Sequence, residues 1–143
     1  MGLDMFLEKE TYIGNNYKDP ADQIKIDVDG VDQSKVTSVN ERVACWRKAN
    51  AIHKWFVENV QNGIDDCRRY PVSTDQLQEL LDLVKEVLKH KGKALDKLPP
   101  LSGFFFGLIE IDEYYWENLE DTVNILEAAL KSDNGVFYYQ ADW

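Results

Sequence analysis

Within the stretch Trp46-Arg47-Lys48-Ala49-Asn50-Ala51-Ile52-His53-Lys54-Trp55-Phe56, three polar side chains recur at a spacing that could bring them to one ligand. Arg47, Asn50 and His53 are three residues apart, which on a helix puts them on neighbouring turns of one side. In a pocket, Asn50 and His53 would orient a ligand, with Arg47 at the rim and a tyrosine completing the set. Such a pocket would serve binding or, through the imidazole, proton transfer. The plainer reading of His53 is a core residue whose ring nitrogens are satisfied by protein groups, because buried polar atoms find partners.

A second constellation lies in FFFGLIEIDEYYWENLED, where six aromatics adjoin Glu110, Asp112, Glu113, Glu117, Glu120 and Asp121. As structure, it reads as a buried strand followed by a helix whose early acidic residues complement the N-terminal dipole. As function, Glu110, Asp112, Glu113 and Glu117 around Tyr114 and Trp116 resemble a surface for a basic protein partner. Trp55 joins these candidates. It falls on the polar side of its helix, so either another element, the C-terminal segment or a loop, covers it or it marks an interface.

Other chemistries fit poorly. Asp27 to Gly30 imitates a calcium loop, but aligning the glycine puts Lys25 first and Val36 twelfth, where acidic ligands are required. His53 and His90 form no zinc pair, and no phosphate loop or nucleophile elbow is present. Cys45 and Cys67 make no CxxC motif. Arg68-Arg69 beside Cys67 would favour a thiolate, yet a half-buried structural cysteine explains it as well. No metal or cofactor is expected.

The elements that must hold these residues follow from periodicity. Alternation predicts a first strand over residues 3–8 and a second over 24–28, with a β-rich segment over 36–43 pairing to the latter across Asp29-Gly30. Between the first two strands, YIGNNYKDPADQ reads as an exposed loop. A helical period over 44–61, ended by Asn62-Gly63, gathers Trp46, Ala49, His53, Phe56, Val57 and Val60. Ser73 and Gln76 form a capping box for a helix ending near Gly92, with Leu77, Leu80, Leu81, Val84, Val87 and Leu88 as its stripe. A strand over 102–109, a helix over 113–131 and a last strand over 136–141 complete the order βββααβαβ. The expected fold is α+β: a mixed, mainly antiparallel sheet of about four to five strands, with three helices packed mostly on one face.

The 143 residues suit a single domain, residues 1–143, with 44% apolar and 12% aromatic side chains to build its core. Sixteen basic against 26 acidic residues leave a net charge of −10, which disfavours nucleic acid as a partner. The absence of a membrane-length apolar run or a leader, with two unpaired cysteines, predicts a cytoplasmic protein with no membrane partner.

MGLDMFL at the start, WRKANAIHKWFVENVQNGIDDC, SGFFFG with DEYYW, and FYYQADW at the end resemble a family of small uncharacterised phage and prophage proteins. Its members open MGLDM-aromatic-L and carry a WRKAN-x-IH-x-WF block, and the likeness spans most of the chain. The closing ADW departs from the small hydroxyl residues expected before the final tryptophan. The resemblance implies an accessory role in an infected or lysogenic host and no particular mechanism. It marks Arg47, Lys48, Asn50, His53, Trp55 and Phe56 as the typical part. The function expected is non-enzymatic binding of a host or defence protein. The alternatives are a small-molecule pocket at Asn50 and His53, or a self-associating virion or assembly component.

Overall fold

A computed structural model describes residues 2–103, 106–107, 109–132 and 134–143. Among the described residues four strands, β1 (Asp4–Tyr12), β2 (Ser38–Arg47), β3 (Tyr70–Val72) and β4 (Val136–Asp142), form one sheet in the order β2-β1-β4-β3. Every pairing is antiparallel. Three long helices, α1 (Asn50–Asn59), α2 (Thr74–Lys89) and α4 (Glu113–Ala129), are joined by the short α3 (Ala94–Lys97). The fold is the expected α+β class with one open sheet, antiparallel throughout the described residues.

The sheet is buried on one face because its strands alternate. Leu3, Met5 and Leu7 from the β1 segment, Ala44 and Trp46 from β2, and Phe137, Tyr139 and Ala141 from β4 are all buried. They meet Ile52 and Phe56 of α1, Leu77, Leu80 and Val84 of α2, and Leu119 and Leu126 of α4 in one core cluster. Full burial of each large side chain contributes about 1.5–3 kcal/mol, so this layer holds the fold. The other face carries a ladder of polar contacts. Glu8 receives Arg42 at 3.9 Å and Arg69 at 3.6 Å, while the two guanidinium groups lie over the Phe6 and Tyr138 rings.

Three expected boundaries are corrected. The β-rich segment does not pair with residues 24–28. It pairs with β1 and runs on to Arg47, through registers such as Leu7 with Ala44 and Met5 with Trp46. The helix accordingly starts at Asn50, not Ala44, and Lys48, at φ 54°, makes the break between strand and helix. Pairing with β1 outweighs the helical period of residues 44–49, because strand partners are tertiary and periodicity is local. The third correction is β3, whose three residues are too few for any period and were expected as a connector.

Residues 24–28 form no strand. They sit in a loop over 13–37 whose backbone groups are taken by side chains instead. The wholly buried Asn15 accepts from the Ile24 N–H at 2.9 Å and donates to the carbonyls of Ile24 and Gln33. Gln33 accepts from the Ile26 N–H. Once satisfied this way, that backbone has no need of a ladder. Of the strand expected over 102–109, residues 104, 105 and 108 lie outside the described residues, and Ser102, Gly103, Phe106, Gly107 and Ile109 adopt no strand.

The helix ends follow local chemistry. Ser73 and Gln76 make the reciprocal capping box of α2, and Asp112 caps α4 by accepting from the Tyr115 N–H. Asn134-Gly135 turns the chain into β4. A Cβ at Gly135 would stand 2.6 Å from the Glu10 carbonyl oxygen, so this tight approach requires glycine.

Candidate functional site

His53 projects from the middle of α1 into the core and has no solvent exposure. Its Nδ1 lies 2.7 Å from the Tyr139 hydroxyl and its Nε2 2.8 Å from the Asp65 carboxylate. A carboxylate only accepts, so Nε2 carries the proton and donates to Asp65. Nδ1 is then left with its lone pair and accepts from the Tyr139 O–H. Both ring nitrogens are satisfied with the imidazole neutral.

Each partner arrives by a different route. After α1 the chain reverses through Asn62 and Gly63, both at positive φ, and the Gln61 side chain donates to the Ile64 carbonyl. This turn carries Asp65 back alongside His53. Tyr139 is an inward position of β4, and its ring stacks on Phe56 with centroids 3.8 Å apart. Phe106 and Trp143 close around the imidazole, at 5.4 and 5.8 Å between ring centroids.

Burial drives the His53 pKa below its ordinary 6.5, opposed by the hydrogen bond and charge of Asp65. Burial, then Asp65, pushes the Tyr139 phenol well above 10. With the folded pKa below the unfolded one, the unfolded chain binds more protons in the interval between them. The stability tied to His53 is therefore complete above about pH 6.5. It declines as the pH falls through the interval and stops declining below the folded pKa. Urea midpoints at pH 7.5 and 5.5 should show this loss, and His53→Gln should flatten it. An equal slope in the variant would assign the pH dependence to other groups.

Arg47 and Asn50 stand apart from this chain of hydrogen bonds. Arg47 lies on the exposed sheet face, its Nε 3.7 Å from Asp4. Asn50 is buried at the first turn of α1, donates to the Phe106 carbonyl at 3.0 Å and accepts from the Leu101 N–H at 3.2 Å. It thereby pins the segment between α3 and α4. The cavity bordered by Asn50 and Tyr114 has a volume of about 20 Å³, room for a water and not for a small-molecule ligand. The three residues that the helical spacing grouped are thus distributed over a strand end, a clamp and a core. Trp55 is only 7% exposed, with Lys97, Leu98 and Pro99 bordering the crevice beside it. A loop covers it.

The acidic aromatic residues are more accessible. Glu110, Glu113, Tyr114 and Glu117 are exposed, Asp112 is half-buried as the α4 cap, and Trp116 is half-buried with Lys91 Nζ 4.8 Å from its ring. The Tyr114 hydroxyl donates to the Arg47 carbonyl at 2.7 Å, which fixes its ring beside a groove between β2 and α4. That groove has a volume of about 360 Å³. Among the described residues no group of histidine, cysteine, aspartate and glutamate is arranged to hold a metal, and no helix is long and apolar enough to cross a membrane.

Asp65 and Tyr139 were not individually legible as partners of His53. The available signals were the Asn62-Gly63 reversal, which returns an acidic residue towards α1, and the inward parity of Phe137, Tyr139 and Ala141. Comparison with family models, with curated proteins and with solved structures finds no match to the chain.

Proposed function

We propose that the chain is a non-enzymatic binding protein of phage or prophage type, which engages a host or defence protein through the acidic aromatic side of α4. The observation that carries this reading is Tyr114. The residue is 48% exposed, tethered through its hydroxyl, and flanked by Glu110, Glu113 and Glu117. A tyrosine held in place loses little entropy on binding, and its apolar body with a polar tip suits the centre of an interface. Surrounding carboxylates would steer a basic surface towards it and reject acidic ones.

Enzymatic and small-ligand readings receive less support. The imidazole of His53 is sealed from solvent, and a cavity of about 20 Å³ at Asn50 admits no substrate. The test is affinity capture from host lysate with the wild-type chain and with Glu110→Lys/Glu113→Lys/Glu117→Lys, all three at exposed positions. Proteins retained by the wild type at low salt should be lost by the variant and released by added salt. Recovery of the same proteins by both would remove this surface as the determinant.

A further inference from the structure

We infer that the outer edge of β2 takes up an extended, basic segment of a partner protein by strand addition. This deepens the proposed α4 surface into a mode of binding and rests on that reading.

The two edges of the sheet differ. β3 is three residues long with Pro71 at its centre, a short edge lacking a donor, and such an edge resists further pairing. β2 is ten residues long and, among the described residues, has no strand on its outer side. The direction of its free backbone groups follows from the ladder. The Lys48 N–H bonds to the Leu3 carbonyl at 2.7 Å, so Lys48 and, two residues earlier, Trp46 face β1. The intervening Cys45 and Arg47 direct their N–H and C=O groups outward. The Arg47 carbonyl already accepts from the Tyr114 hydroxyl, which leaves the Cys45 pair and the Arg47 N–H available to an incoming strand.

What lies beneath that edge specifies the occupant. Side chains of an added strand alternate, and those beside Trp46 would point over the groove between β2 and α4. The half-buried Ile125 contributes apolar surface there beside the small exposed edge of Trp46, with Tyr114, Asn118, Glu117 and Asp121 around them. Its volume of about 360 Å³ is within the range of binding clefts. A lysine or arginine fits this combination, with its aliphatic stem along Trp46 and Ile125 and its charge at Glu117 and Asp121. Arg47, the basic residue at this groove, is drawn towards Asp4 on the other face of the sheet. A second copy of the chain is disfavoured, because each carries a net charge of −10.

The experiment titrates the whole protein with two synthetic eight-residue peptides, one alternating threonine and lysine, the other threonine and glutamate. Amide NMR signals and hydrogen exchange report the contact. The lysine peptide should shift Cys45 and Arg47 and slow exchange at both. Its affinity should fall about tenfold or more in Glu117→Lys/Asp121→Lys, as expected for paired charges in a groove. Cys45→Pro, which removes an outward donor and no ladder bond, should abolish the protection.

Equal binding of the glutamate peptide, shifts confined to other surfaces, or self-association that protects these amides without peptide would each overturn strand addition. Charge-dependent capture from lysate that persists in Cys45→Pro would leave the α4 surface in place and discard only the edge.

Discussion

His53→Ala is expected to destabilise the protein by about 3–5 kcal/mol, among the larger effects of a single substitution. The magnitude has two sources. Removing a fully buried imidazole leaves a void among Phe56, Phe106, Tyr139 and Trp143, with the loss of its packing contacts. The Tyr139 hydroxyl, wholly buried, also loses its acceptor, and an orphaned buried donor costs about 1–3 kcal/mol. Asp65 is spared that penalty, because its side chain is 32% exposed and can turn to water. At roughly 3 °C per kcal/mol for a chain of this size, the melting temperature should fall by about 10–15 °C. Tyr139→Phe keeps the ring stacked on Phe56 and removes only the donor, so its cost should be smaller, about 1–2 kcal/mol. Calorimetry on both variants checks the account. A loss under about 1 kcal/mol for His53→Ala would mean that the ring is not bonded as described.

Trp46→Ala should cost a similar amount, about 3–5 kcal/mol. The indole is 4% exposed, donates from Nε1 to the Thr122 hydroxyl at 2.9 Å, and lies 6.1 Å from the Phe56 ring. Together with the Tyr114 hydroxyl on the Arg47 carbonyl it ties the edge strand β2 to α4, and Thr122 in turn donates to the Asn118 carbonyl of that helix. Thr122→Val keeps the volume near constant and removes the acceptor, leaving the indole N–H without a partner. A double-mutant cycle between Trp46→Phe and Thr122→Val should return a coupling of about 1 kcal/mol. Additive effects would show that the two groups do not interact. Because the groove lies over this contact, Trp46→Ala should also weaken binding of the lysine peptide.

The elements with their own local signals were legible. The α2 capping box, the first-turn carboxylates of α4 and the Asn134-Gly135 turn act within four residues, so sequence spacing suffices to find them. The alternation of Leu3, Met5 and Leu7 with Asp4, Phe6 and Glu8 was equally local and marked β1, whose alternate side chains are buried. Residues 24–28 carried the same alternation and form no strand, because Asn15 and Gln33 satisfy their backbone first. Residues 44–47 carried a helical period and form a strand, because β1 pairs with them. Neither competitor is visible in a window of a few residues.

At the candidate site the same division holds. His53 could be placed on the inward face of α1 from the sequence, and Glu113, Tyr114 and Glu117 on one helix. Arg47 was grouped with Asn50 and His53 on the premise of a continuous helix, which the left-handed Lys48 interrupts.

What the sequence determined by itself is therefore what short-range forces decide: the α2 capping box and inward stripe, turns, the α+β class and the excess of negative charge. Tertiary structure alone decided that β2 is an open edge, that Trp55 is covered, and that Tyr139 and Asp65 complete the hydrogen bonds of His53. Tyr139 is 86 residues from His53 in sequence. A contact over such a separation depends on register and packing across the whole sheet, which local pattern does not encode.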